Sequence, residues 1–204
     1  KQKGKIIVTS GPTYEEIDDV KVVTNKSSGK QGKALAIELS ARGYEIIYIH
    51  SASIDHIPGL DNVSFHSSND LKNKILENIN NTDAIFMTAA VSDFTVKKSS
   101  GKISRSNGNI TLEFIPNEDI IASIKTSYPE IKCIAFSAQV DDELNFNKIN
   151  TKNVDYLVIN NILKNKFGSD TNKVSLIDQQ HLIFESEELD KNEISRDILN
   201  ALEY

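Results

Sequence analysis

The strongest constraint on this chain is an alternation over residues 5–90. Compact β-branched and aliphatic runs, KIIVTS (5–10), YEIIYIHS (44–51) and DAIFMTAA (83–90), are separated by segments whose apolar residues recur at helical spacing. The first helix runs from about 29 to 42, with Ala34, Leu35, Ala36, Ile37 and Leu39 on its apolar side and Gly43 as a natural stop. NVSFHS (62–67) reads as a shorter strand, and Asn69-Asp70 caps a helix to about residue 80 carrying Leu71, Ile75, Leu76 and Ile79. Strands alternating with helices predict a doubly wound, mostly parallel sheet with right-handed crossovers.

The second half continues the pattern. Strands are expected at 109–115, 132–138 and 155–160, with helices at 118–127 and 144–151 between them. NKVSLID and QHLIFES read as a hairpin turning at Gln179-Gln180, and an amphipathic helix closes the chain over about 189–202. The stretch 97–109, rich in Gly, Ser, Lys and Asn, is the one obvious loop. A hydrophobic fraction of 39% over 204 residues suffices for a full core in one domain.

A net charge of −6, spread along the chain, excludes a nucleic-acid coat or an anionic membrane surface as partner. Any anionic ligand must be held locally. No apolar run approaches a membrane span and no secretory signal is visible. One cysteine, Cys133 in IKCIAF, reads as a buried inert thiol and fits a cytoplasmic setting. His50, His56, His66 and His181 show no metal-ligand spacing. The chain starts on Lys1 and its only Met is Met87, which fits a piece of a longer polypeptide.

In an open parallel sheet, ligands bind at the carboxyl ends of the strands. That rule selects SGPTYEEID, AAVSDF, FSAQVDD and NNIL. A Walker A loop fails at Thr24 and Gln31, and SGPTYE lacks the dinucleotide glycines. SSGKQG (27–32) still opens a helix with two Ser and two Gly, which serves either an ordinary cap or an anion site. Gly32 favours the anion site, because glycine inside a helix costs roughly 1 kcal/mol and close approach by a ligand would explain it. Asn25 offers an amide, Lys102 sits with Lys97, Lys98 and Arg105 in the mobile loop, and Lys148 and Lys152 share a helix face. These residues alone read as an α/β domain binding a phosphorylated small molecule.

Together the loops resemble one family. TSGPTYEEIDDVKVVTNKSSGKQG is similar to the TSGGT-x-E-x-ID-x-VR-x-x-x-N-x-SSG-x-x-G signature of phosphopantothenate–cysteine ligase. AAVSDF (89–94), GKI (101–103), NEDII (117–121), AFSA (135–138), KNVDYLVINN (152–161) and FGSDTNKVSLI (167–177) follow in the family's order. The resemblance implies a three-layer α/β/α, Rossmann-like, mostly parallel sheet with a C-terminal β-hairpin, forming a single ligase domain over 1–204. It implies ligation of 4′-phosphopantothenate to L-cysteine in coenzyme A biosynthesis, with CTP giving an acyl cytidylate and then CMP and pyrophosphate. Mg²⁺ is expected on the triphosphate. A homodimer with sites completed across its interface is expected, as is a flavin-dependent decarboxylase fused in many bacterial relatives.

Residue by residue, the resemblance implies that Asn25 holds the substrate carboxyl and the acyl intermediate, and that Lys102 acts in catalysis from the loop. Ser27, Gly29 and Gly32 fall at positions for the phosphopantothenate end, with Ala89, Ala90 and Asn160 also on the substrate. Gly11, Asp93, Lys102, Asn117, Glu118, Asp119, Ile120, Phe136, Lys148 and Lys152 fall at nucleotide positions. Pro12, Lys21 for Arg, KISR for KIKK and FSAQVDD for F-A-A-E-T depart from the pattern. Eukaryotic relatives use ATP, but Asn117, Phe136, Lys148 and Lys152 follow the CTP layout. The alternative is a non-catalytic nucleotide- or phosphate-sensing domain of the same fold, but binding alone does not need both Asn25 and Lys102; a nicotinamide reductase lacks its glycine fingerprint.

Overall fold

The run at 5–10 forms β1 (Lys5–Ser10), and its alternate residues feed two separate cores. Ile7 packs in one cluster with Ile47, Ile85, Cys133 and Leu157, while Ile6 and Val8 pack in another with Tyr48, Phe86, Ile134 and Val158. That period-2 split is what a sheet covered on both faces requires. Each fully buried aliphatic side chain contributes about 1.5–3 kcal/mol. The structure, a computed structural model, describes residues 3–140, 144, 146–161 and 169–204. Asp141, Asp142, Ile162, Leu163, Phe167 and Gly168, parts of the loops and motifs quoted above, lie outside these.

After β1 come β2 (Tyr14–Glu16), β3 (Val22–Thr24), α1 (Lys30–Ala41), β4 (Glu45–Ser51), β5 (Asp61–Phe65) and α2 (Ser68–Asn78). Next are β6 (Ala84–Met87), β7 (Phe94–Val96), β8 (Phe114–Pro116), α3 (Ile120–Ser127) and β9 (Lys132–Gln139). The rest is α4 (Phe146–Lys152), β10 (Tyr156–Asn161), β11 (Thr171–Asn172), β12 (Val174–Ile177), β13 (Leu182–Glu185), β14 (Leu189–Asp190) and α5 (Lys191–Ala201). The eight-stranded sheet runs β13-β12-β10-β9-β6-β1-β4-β5. The six strands from β10 to β5 are parallel, and β12 and β13 add the antiparallel hairpin. Helices α1 and α5 cover one face and α2, α3 and α4 the other. No helix among the described residues is long and apolar enough to cross a membrane.

Strand order reverses between β1 and β6, so a crevice opens at their carboxyl ends. There the two loops are stitched together. Ala90 N–H donates to Gly11 O at 2.9 Å, and Thr13 N–H donates to Ala90 O at 3.3 Å.

Several expectations shift. The strand expected at 109–115 pairs only at β8, because its partner β7 is three residues long and reaches from Phe94↔Pro116 to Val96↔Phe114. Ser67 rather than Asn69-Asp70 caps α2, its hydroxyl accepting from Asp70 N–H at 3.2 Å. Asp119 caps α3, so that helix starts at 120 rather than 118. The hairpin β2–β3 and the pairing of β11 with β14 have no counterpart in the sequence reading.

Asp18 ties the β2–β3 turn to the Lys102 loop. Its buried carboxylate accepts from Val20 N–H and Lys21 N–H at 2.7 Å, Ile103 N–H at 2.9 Å and Lys21 Nζ at 2.7 Å. Lys21, where the family pattern has Arg, also donates to Ile103 O at 3.1 Å. The Lys21 hydrogen bond, with the three backbone donors, holds the Asp18 pKa far below the usual carboxylate range. The attachment is therefore at full strength above about pH 4, where the unfolded-state carboxylate is ionised, and is lost as pH falls through the depressed folded value. Asp18→Asn at neutral pH removes the ion pair with Lys21. Trypsin should then cleave at Lys97, Lys98, Lys102 or Arg105 several-fold faster than in the parent protein. Equal cleavage rates would show that Asp18 does not anchor the loop.

Candidate functional site

Two adjoining cavities open at the carboxyl ends of β6, β9 and β10. The larger, about 640 Å³, is bounded by residues 24–26, the loop 89–93, the start of α3 at 117–121, Phe136 to Ala138, and Lys148 and Lys152 of α4. The smaller, about 180 Å³, is bounded by residues 27–32, Thr88, Asn160, Thr171, Asn172, Val174 and Lys191. Ala89, Ala90, Phe136, Ser137 and Ala138 line both. One ligand can therefore run from one cavity into the other past a strip of mostly small side chains.

The residues singled out from the sequence fall into these spaces in two groups. Asn25, Asp93, Asn117, Glu118, Asp119, Ile120, Lys148 and Lys152 line the larger. Ser27, Gly29, Gly32 and Asn160 line the smaller, and Ala89, Ala90 and Phe136 border both. Lys102 and Gly11 line neither. Lys102 is exposed on the loop anchored at Asp18, where Gly101 N–H also donates to Asp19 Oδ2 at 3.0 Å. Gly11 is buried with φ 87°, and a Cβ there would sit 2.7 Å from Ser51 Cβ. Its place is the stitch between the β1 and β6 loops, which needs a glycine.

Local bonds fix the larger cavity. Asn25 Nδ2 donates to Ala90 O at 3.3 Å and Val91 O at 3.0 Å, which commits the amide nitrogen and leaves its oxygen as the acceptor. Asn117 Nδ2 donates to Ser92 O at 2.9 Å, and its N–H donates to Asp93 O at 2.8 Å. Asp119 caps α3 and pairs with Lys152 Nζ at 2.9 Å. The Lys72 ammonium, 2.6 Å from Glu118, holds that carboxylate below its ordinary pKa. Lys26, Lys148 and Lys152 bring three cations to this cavity alongside the carboxylates of Asp93, Glu118 and Asp119. Cys133 is buried and takes no part; burial pushes its thiol up to about 12.

At the smaller cavity, Gly29 is the N-cap of α1 in the left-handed region at φ 68°, and no side chain caps the helix. The ordinary serine cap is therefore not what Ser27 and Ser28 provide. Gly32 has a different explanation from the one its sequence position suggested. A Cβ there would collide with Thr88 Oγ1 and lie 2.7 Å from Ser10 Oγ, so α1 itself needs the glycine to pack on the sheet. Lys191 is the cavity residue that sequence reasoning missed. It stands 159 positions from Gly32 in the chain, and only the packing of α1 against α5 brings it in.

The whole chain, residues 1–204, matches the family model described as DNA/pantothenate metabolism flavoprotein C-terminal domain. The chain belongs to that family. A Bacillus subtilis relative, the coenzyme A biosynthesis bifunctional protein CoaBC, is 32% identical over 97% of the chain and 50% of the relative. A relative from an unknown prokaryotic organism, named cysteine/cysteine sulfinic acid decarboxylase, is 31% identical over 97% of the chain and 57% of its own length. The chain thus spans about half the length of the curated relatives it matches. The crystal structure of the C-terminal domain of a CoaBC protein superposes with a TM-score of 0.79 at 28% identity, covering 100% of this chain and 97% of that one. The family fold is thus the α/β sheet described above, with its C-terminal hairpin.

Gly32 gives this site a test whose sign separates two causes. In a helix, Gly→Ala normally stabilises by about 1 kcal/mol. With the collision against Thr88 and Ser10, Gly32→Ala should instead destabilise the unliganded protein by about 1–3 kcal/mol in urea unfolding. A stabilised variant that fails only to bind ligand would restore the ligand-clearance explanation.

Proposed function

We propose that residues 1–204 form a single phosphopantothenate–cysteine ligase domain acting in coenzyme A biosynthesis in the cytoplasm, with CTP as the activating nucleotide. The observation that carries this reading is the pair of abutting cavities. One is lysine-lined and large enough for a nucleotide; the other is narrow and built on an uncapped helix start. Between them stand Ala89 and Ala90, with Asn25 held against their loop. A carboxylate lying on that strip has its phosphorylated end in one cavity and the nucleotide's α-phosphorus in the other. One relative is named for coenzyme A biosynthesis and the other for decarboxylation of cysteine or cysteine sulfinic acid; the two-cavity geometry favours ligation.

In the first step a carboxylate oxygen attacks the α-phosphorus of CTP. The new O–P bond replaces the bond to pyrophosphate, which leaves. In the second step the neutral cysteine amine attacks the acyl carbon, a C–N bond forms, the C–O bond to CMP breaks, and the proton lost from nitrogen passes to solvent. Both steps gather negative charge, so Lys148 and Lys152 stabilise what develops at the phosphates. The committed nitrogen of Asn25 leaves Oδ1 to accept from the attacking amine and orient it. Among the described residues, no group of three or more His, Cys, Asp or Glu side chains is arranged to hold a metal ion. That fits Mg²⁺, which binds mainly through substrate phosphates and one or two carboxylates. Asp93, the carboxylate of the larger cavity that no described residue pairs with, would hold it, and the ion would shield triphosphate charge.

Lys102 reaches such a site from a second copy of the chain. The ribbons β2–β3 and β7–β8 lie against each other and expose Val20, Val22, Phe94, Phe114 and Ile115, the first at 64%. A homodimer across these residues covers them and brings one subunit's loop to its partner's nucleotide.

The first experiment offers CTP or ATP separately, with 4′-phosphopantothenate, Mg²⁺ and cysteine, and identifies products by mass spectrometry. Phosphopantothenoylcysteine with CMP is expected; AMP instead would keep the ligase and overturn CTP. No product with either nucleotide from folded protein would overturn the ligase. Asn25→Ala should lower turnover about 100-fold or more. Mixing inactive Asn25→Ala and Lys102→Ala subunits should restore about a quarter of parental activity, because half the dimers then hold one intact site. No recovery on mixing, with subunit exchange verified, would place Lys102 outside the partner's site.

A further inference from the structure

The incoming amino acid meets a charge problem at this site. Cysteine carries a carboxylate on the same carbon as its attacking amine, and it must approach an acyl phosphate that is already anionic. Like charges that close repel, and more strongly where ligands have displaced water. In the ligase reading the smaller cavity holds the phosphorylated acid, so the amino acid enters through the larger one. Asn25 stands on that side, its nitrogen tied to Ala90 O and Val91 O and its oxygen left to accept from the amine. A cation for the carboxylate must therefore lie beside Asn25.

Lys26 lies there. Strand β3 ends at Thr24, and residues 25–29 belong to no helix or strand. Asn25 and Lys26 accordingly border the same cavity instead of alternating across a strand. Their Cα atoms are about 3.8 Å apart, and a four-carbon stem carries the ammonium to a group bound next to Asn25. The other lysines of the cavity come from α4. Lys152 pairs with Asp119 at 2.9 Å, and Lys148 stands one turn before it. Lys26 is exposed and, among the described residues, enters no ion pair, so the fold itself makes no use of its charge.

We propose that Lys26 receives the carboxylate of the incoming amino acid, and so sets the preference for an α-amino acid over the same amine without a carboxylate. This inference rests on the ligase reading for the reaction. The ammonium offsets the repulsion between the carboxylate and the acyl phosphate through a charge-assisted hydrogen bond. Its charge also favours the neutral form of the nearby amine, which is the form that attacks. Asn25 on the amine and Lys26 on the carboxylate then fix the nucleophile at two points.

The test sets cysteine against cysteamine, which is cysteine without its carboxylate, in one reaction. Both amines are present at equal concentration with 4′-phosphopantothenate, Mg²⁺ and a mixture of CTP and ATP. Mass spectrometry reads the ratio of the two amide products, which is the ratio of their kcat/KM values whichever step limits turnover. Comparing parent and variant at one pH cancels the intrinsic difference between the amines. Lys26→Met should lower the cysteine-to-cysteamine ratio about tenfold, and Lys26→Arg should restore most of it. An unchanged ratio in folded Lys26→Met, with the parent active, would overturn the carboxylate site and leave the ligase standing. Equal loss of both products would overturn it too, and would place Lys26 on the nucleotide. No product from either amine with the folded parent would sink the ligase reading, and the role of Lys26 with it.

Discussion

The structure depends on parallel pairing of β1 with β6. It sets the reversal of strand order, and with it a crevice at the carboxyl edge of the sheet. The stitch between Gly11 and Ala90 closes the near side of that crevice with backbone bonds, so ligand space is displaced toward β6, β9 and β10. Only a residue that tolerates φ 87° without a side chain can accept the Ala90 N–H while the β1 loop turns beside Ser51. Pro12 at the next position stiffens the turn, and its bridge to Ala90 shows that the change is accommodated. The ligand-binding edge thus follows from topology, and the chemistry from the loops placed there.

Legibility from sequence follows the physics of each element. Long buried strands and helices with apolar stripes were readable because their periodicity is carried by their own residues, as with Ile6, Ile7 and Val8. The three-residue strands β2, β3, β7 and β8 were not, because so short a run has no period and its register is set by the partner. Helix starts moved by one or two residues wherever a neighbouring side chain took the cap, as Ser67 and Asp119 do.

The site was legible in a similar way. Residues 24–32, 89–93 and 117–120 come from continuous loops whose composition marks them, and they meet at the cavities. Lys191 carries no local mark, since an ordinary capping box of Asp190 and Glu193 surrounds it. Gly32 was marked but misread. A missing Cβ looks the same in sequence whether a ligand or Thr88 fills the space. Lys102 is marked too, yet it lines neither cavity.

Charge placement ties fold to chemistry. The chain is acidic overall, yet lysines gather at the two cavities, three on the larger and two on the smaller. On the larger, Asp119 and Lys152 neutralise each other and Glu118 is neutralised by Lys72, so two of its three acids are spent on protein contacts and Asp93 is the one left facing the space. On the smaller, partial burial strengthens whatever an anion meets, because water screens it less. Between them Ala89, Ala90 and Ala138 supply no charge and little bulk, leaving backbone to approach a neutral or reacting centre closely. An acid whose phosphate is fixed at one end and whose carboxylate faces a nucleotide at the other is held at two points. Binding energy from the remote phosphate then serves orientation at the reacting carbon, which is where affinity becomes rate.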